Sequence, residues 1–304
     1  MDLISTNQLC KKYGDKMVID HVNMHIPERS IYGFVGENGS GKTTIMRLLT
    51  GLAEVTEGSY SLFGVLNTDP QIYDMRRKMS AIVEVTSLVP SMTAKDNMRY
   101  QELYLGINLT EEERDALLKQ VHLEDVGKKK VKNFSLGMRQ RLGIAMALLN
   151  KPKLMLLDEP MNGLDPEGIA ELRELLIELN QKEGITVLIS SHILSELEKI
   201  ASFYGFISKG HLIEEITAEQ LQQRCQKSIT IKVDDLAKAE ASIKGLKLSK
   251  YKVYPNGDIT IFDEIKINDL MSAFIKANVN VLSIKSTDES VEDYYLHLIK
   301  GGQE

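Results

Sequence analysis

Gly36-Glu37-Asn38-Gly39-Ser40-Gly41-Lys42-Thr43-Thr44 fits the pattern G-x-x-x-x-G-K-[ST], and its reading decides the fold. Glycines here let successive backbone N–H groups curl around a phosphate with no side chain in the way. Lys42 can then reach the β- and γ-phosphates of a nucleotide, and the Thr43 hydroxyl can ligate Mg²⁺. The pattern demands a strand before it and a helix after it. Ser30–Val35 reads as a short buried strand, and Thr44–Gly51 has helical apolar spacing with a glycine stop. The helix aims its positive end at the same anion.

Downstream, Leu154-Met155-Leu156-Leu157 runs straight into Asp158-Glu159-Pro160. An unbroken apolar run of that length describes a parallel strand buried on both faces. Its acids emerge at the carboxyl edge, where open α/β sheets bind ligands. Adjacent residues on a strand point to opposite sides, so the two carboxylates are expected to have different roles. Gly163-Leu164-Asp165-Pro166 reads as a turn opening a helix, and Ile185–Ile189 as another buried strand ending in Ser190-Ser191-His192. His192 stands apart from His21, His25, His122, His211 and His297 because it shares the strand-end position of Asp158; the others read as structural or surface residues.

Residues 3–31 read as an antiparallel pair turning at Tyr13-Gly14-Asp15-Lys16, and Gly58–Gly64 as an edge strand. Thr93-x-x-Asp96 and Thr110-x-x-Glu113 are capping boxes, so residues from about 88 to 150 read as a mostly helical insert. Lys128–Lys132 is a basic run, most simply a solvated loop. From residue 217 to 304 the order of elements becomes βαββαβ, a ferredoxin-like pattern with a hairpin about Pro255-Asn256-Gly257 and a last helix. That part shows no catalytic constellation and reads as an accessory α+β domain, following a first domain over residues 1–216.

The 304-residue chain has a net charge of −6 and a pI near 5.7, which argues against a nucleic-acid coat protein. Cys10 and Cys225 lack metal-ligand spacing and read as free thiols of a reducing compartment. The N-terminus has no signal-peptide pattern, and no apolar run approaches the ~20 residues of a membrane helix. Any membrane spanning is expected of another chain.

Taken in order, these motifs resemble the ATP-binding subunits of ABC transporters over residues 1 to about 216. The resemblance implies a parallel sheet with an antiparallel subdomain and a helical one. It implies ATP and Mg²⁺, with Gly36–Thr43 as Walker A, Thr44 beside it at the nucleotide, Leu154–Asp158 as Walker B and Glu159 as the catalytic glutamate. Phe134-Ser135-Leu136-Gly137-Met138 stands for the signature, Asp165 for the D-loop, His192 for the switch histidine and Tyr13 for the aromatic on adenine. Thr43, Glu84 and Asp158 would hold Mg²⁺.

Two departures stand out: Glu84 where the family usually has a Q-loop glutamine, and Leu136 and Met138 inside the signature. A carboxylate could ligate Mg²⁺ but cannot donate an amide hydrogen bond. With Glu292-Asp293-Tyr294-Tyr295-Leu296 in the tail, these features resemble the bacitracin- and lantibiotic-resistance subgroup of exporters.

The resemblance implies a head-to-tail pair of ATPase subunits with ATP between Lys42 of one and Ser135 and Gly137 of the other. It also implies permease partners and a cytoplasmic place on the inner face of the membrane; Val85, Leu88 and Val89 are candidates either for the permease groove or for packing under the helical insert. An ABC-2-type exporter of another substrate is one alternative; a soluble relative acting on ribosomes or DNA is a second, but this chain has one Walker A motif and no sustained heptads. A small-molecule kinase would not need Ser135-x-Gly137 or His192 in these places.

Overall fold

The computed structural model describes residues 1–84, 86–225, 228–246, 248–254, 256–263, 265–287 and 291–301. The chain divides into two compact units, Met1–Ala218 and a second beginning at Glu219.

In the first unit, β1 (Asp2–Tyr13) and β2 (Lys16–Val22) form a hairpin, and β3 (His25–Pro27) pairs with the start of β1. β4 (Ile31–Val35) leads into α1 (Lys42–Thr50). β5 (Glu57–Leu62) returns to β1, with the two-residue β6 (Val65–Leu66) on its other side. The expected edge strand is therefore an inner one, because the chain turns at Phe63 and Gly64 and lays β6 along it. The short α2 (Ile72–Arg76) then precedes β7 (Met79–Ile82).

A helical insert follows: α3 (Ala94–Leu105), α4 (Glu111–Gln120) and α5 (Leu136–Leu148). Both capping boxes form, at Thr93 and Thr110. Arg114 of α4 grips Glu102 of α3 through Nε and Nη2, at 2.8 Å each, with both side chains buried. A bidentate pair of this kind fixes orientation as well as distance.

β8 (Leu154–Asp158), α6 (Pro166–Glu183), β9 (Thr186–Ser191), the single-turn α7 (Leu194–Leu197), β10 (Phe203–Ser208) and β11 (His211–Thr217) complete the unit. The second sheet runs β11-β10-β4-β9-β8-β7, parallel throughout except for β11. β4, β8 and β9 are buried along their whole lengths, as continuous apolar strings require. Their carboxyl ends lie side by side: Val35 is opposite Ser191, and Asp158 is opposite Ser190.

The second unit opens with most of α8 (Ala218–Arg224). It continues through β12 (Ser228–Val233), α9 (Leu236–Gly245), β13 (Tyr251–Val253), β14 (Asp258–Ile261), α10 (Ile267–Lys276), β15 (Val281–Thr287) and α11 (Val291–Gly301). The sheet order β13-β14-β12-β15, antiparallel throughout, is the ferredoxin-like arrangement. Ile231, Ile259, Ile261, Ile243, Leu270 and Phe274 form its core. Pro255 of the expected hairpin lies outside the described residues.

Candidate active site

The loop between β4 and α1 leaves its backbone donors open. Gly41 precedes α1 with φ 114°, and no side chain caps the helix. The first N–H groups of a helix have no intrahelical partner, so an anion can take them. A Cβ on Gly36 would lie 2.5 Å from Ser40 Oγ and 2.6 Å from the Ile207 carbonyl oxygen, so that glycine is sterically required. A Cβ on Gly39 would meet nothing within 4 Å, leaving that side of the loop open. Ser40 Oγ is buried and has no hydrogen-bond partner among the described residues. The cradle thus fits a phosphate.

Lys42 is buried, and its Nζ donates to the carbonyls of Gly36 (2.6 Å) and Glu37 (3.2 Å). The same nitrogen stands 3.2 Å from Glu159 Oε1. Glu159 Oε2 lies 2.7 Å from Nδ1 of His192. The carboxylate is therefore bracketed by a cation and an imidazole.

Asp158 has other partners. Thr43 Oγ1 donates to its Oδ2 at 2.7 Å, and Ser190 Oγ donates to its Oδ1 at 2.6 Å. Ser190 Oγ also accepts the Glu159 N–H at 2.9 Å. The neighbouring acids do diverge, but not by pleat alternation alone. β8 ends at Asp158, and Glu159 turns into the left-handed region with φ 47°, which is unusual for a side chain of this kind. The Thr43 and Asp158 oxygens form the hard donor set that Mg²⁺ takes.

Glu84 stands apart from that pair. Its carboxylate is engaged by Arg47, one turn along α1 from Thr43, and its own backbone is left-handed at φ 69°. Tyr13 ends β1 with its ring half exposed and Lys11 Nζ 4.7 Å from the ring centroid. Its hairpin abuts the phosphate loop, since a Cβ on Gly41 would lie 2.5 Å from Ile19 Cδ1 of β2.

Ser135 caps α5, accepting the Met138 N–H at 3.1 Å, which leaves the hydroxyl proton to donate elsewhere. Asp165 caps α6 by accepting the Gly168 N–H at 3.1 Å. These two turns pack together, with Leu164 against Gly137 and Leu136 against Gly163. Among the described residues, no hydrogen bond joins them to the phosphate loop.

Leu88 and Val89 are half-buried, and the Val89 N–H donates to Asn97 Oδ1 of α3 at 2.7 Å. Leu88 joins Leu52, Ile82, Val83 and Leu105 around a cavity of about 450 Å³ beside β7. Val85 lies outside the described residues.

Ser190 was not legible as a site residue. Only its place at the carboxyl end of β9, opposite Asp158, could have signalled it.

An open phosphate loop, a Walker-type Thr–Asp pair and a glutamate poised between Lys42 and His192 define a P-loop ATPase. The ABC transporter family profile matches residues 19–162. The bacitracin transport ATP-binding protein BcrA of Bacillus licheniformis is 39% identical over 305 residues, spanning 99% of this chain and 98% of the relative. The lantibiotic transport ATP-binding protein SrtF of Streptococcus pyogenes is 46% identical over 213 residues, 70% of this chain and 90% of the relative. Among solved structures, an ATP-binding cassette captured as a dimer in a post-hydrolysis state with ADP and Pi superposes with a TM-score of 0.62. It is 26% identical over 71% of this chain and 98% of the other. The chain belongs to the ATP-binding subunits of ABC transporters, and its cassette is an ATPase. No helix among the described residues is long and apolar enough to cross a membrane.

Proposed function

We propose that this subunit hydrolyses ATP to drive export of a peptide antibiotic of the bacitracin or lantibiotic type through separate membrane subunits. The end-to-end likeness to a bacitracin transport protein carries the substrate class, because it includes the second unit as well as the ATPase.

Within the site, the phosphate loop and Lys42 take the β- and γ-phosphates, and Thr43 with Asp158 would hold Mg²⁺. When bound, Mg²⁺ neutralises charge on the phosphate oxygens. Ser190 orients Asp158 for that task. For hydrolysis, Glu159 must release Lys42 to the nucleotide; its carboxylate then polarises the attacking water while His192 steadies the γ-phosphate. Tyr13 would stack on adenine. Glu84 reaches the metal only after parting from Arg47.

Ser135 and Gly137 serve a second copy. The Ser135 proton and the adjoining helix start supply donors to a γ-phosphate bound by the partner's loop, in a head-to-tail pair with Asp165 at the seam. The cavity beside β7 would take a segment of the permease, placing the subunit on the inner face of the membrane.

The test is recovery of the subunit from detergent-solubilised membranes, with ATPase measured with and without bacitracin or a lantibiotic. Copurifying hydrophobic subunits and peptide-stimulated turnover are expected. Membrane partners without stimulation would remove the substrate assignment, and no membrane partner would return the protein to the soluble class.

A further inference from the structure

Cys10, Asp20, His21 and His211 are scattered in sequence and take no part in the chemistry above. Folding gathers them. Along the β1–β2 ladder, Leu9 faces Val22 and Lys11 faces Ile19. Cys10 alone thus stands opposite both Asp20 and His21, which is a β-bulge, and His21 has the left-handed φ of 50°. Bulges re-aim side chains and are frequent beside functional sites.

One ligand atom from each of Cys10, Asp20 and His21 lies within 4.8 Å of the others. The His21 N–H donates to Cys10 Sγ at 3.2 Å, while Sγ itself points a weak donor at the Gln8 carbonyl, 3.6 Å away. Asp20 Oδ1 is 2.5 Å from His21 Nδ1, and Asp20 Oδ2 is 3.4 Å from His211 Nε2. The Asp20 N–H donates to the Gly210 carbonyl at 3.0 Å, which fixes the neighbouring His211 beside the carboxylate. The sulfur is buried and the imidazoles are exposed. A shielded sulfur with a solvent-facing imidazole gives a metal both an anchor and an entry side.

We propose that this bulge is a Zn²⁺ site, with Cys10, Asp20 and His21 as ligands. Sulfur, imidazole and carboxylate together suit zinc and disfavour Mg²⁺ and Ca²⁺, which take oxygen ligands. The metal–sulfur bond forms as the thiol proton leaves to solvent, and His21 coordinates as the neutral imidazole. The fourth position is open to water or to His211, which otherwise orients Asp20 from outside. The bound ion would lock the hairpin that carries Tyr13 and presses Ile19 on the phosphate loop.

The test uses the full chain, stripped with a chelator and titrated without nucleotide or Mg²⁺. Zn²⁺ affinity is read by calorimetry, and Co²⁺ provides the sulfur-to-metal absorption band. Stoichiometric binding with a sulfur band is expected. Cys10→Ser should abolish the band and Cys225→Ser should leave it. His21→Ala and Asp20→Asn alter solvent-accessible side chains and should each weaken Zn²⁺ by about tenfold or more, with His211→Ala weakening it less. A band that survives Cys10→Ser, or Zn²⁺ affinity unchanged in both His21→Ala and Asp20→Asn, overturns the site. Neither result depends on ATP hydrolysis.

Discussion

The start of α1 and the start of α5 each set a helix N-terminus beside a hydroxyl and a glycine, yet they are built to opposite ends. At α1, no side chain caps the helix, Ser40 Oγ has no partner among the described residues, and the helix donors are open to an anion. At α5, Ser135 already satisfies the Met138 N–H, and Asp165 does the same for α6 alongside it. The first helix end gains much from a phosphate; the second can give one hydroxyl proton without depending on it. In the proposed head-to-tail pair, one chain would hold a nucleotide firmly at one place and offer a lighter contact at another.

Substitutions can break or sharpen that contrast. Glu159→Gln should retain ATP binding and lower turnover by about 10²–10⁴-fold, the range for losing general-base help, as a phosphate-release assay would show. Wild-type turnover in that variant would remove Glu159 from the chemistry. Lys42→Ala removes the loop's only side-chain cation. Nucleotide titration should show about 10–100-fold weaker ATP binding, matching the ~1.5–3 kcal/mol of a charged hydrogen bond.

Ser190→Ala takes one of two hydroxyl donors from the Asp158 carboxylate. The Mg²⁺ concentration for half-maximal turnover should rise by about tenfold. An unchanged requirement would mean that Thr43 alone orients Asp158. Ser135→Ala should leave ATP binding by a single copy unaltered but reduce ATP-induced dimerisation, measured by light scattering. Equal loss of monomer binding would erase the contrast.

The helical insert offers a stability test. Hydrogen bonds from Arg114 hold the Glu102 carboxyl below its ordinary value of 4.5. Its contribution is therefore complete above that value and disappears as pH falls through the lowered one. Urea unfolding monitored on α3–α5 should weaken below about pH 4.5, and Glu102→Gln should cost up to about 3–5 kcal/mol at neutral pH by removing the buried carboxylate partner of Arg114, which keeps only its bond to the exposed Glu111.

Much of this was legible in the chain because the chemistry is local. The phosphate loop, both capping boxes and the apolar run of β8 each lie within one short stretch, and the βαββαβ order of the second unit follows from alternating periods. What was hidden depends on long-range pairing. Ser190 meets Asp158 only through the β8–β9 register, and β5 is an inner strand only because β6 folds back on it. Glu84 belongs to Arg47 through the approach of α1, which sequence spacing does not display. Cys10 looked like an isolated thiol until a bulge set two β2 residues opposite it.

The left-handed backbone at Glu159 has an evolutionary consequence. Glycine would rest there with less strain than glutamate does. In the role proposed for Glu159, resilience to heat and catalytic output would therefore favour different amino acids at this position. Variants gathered for thermal endurance alone would drift towards a cassette that folds well and burns no fuel, and only selection on the organism's survival would keep the carboxylate in place.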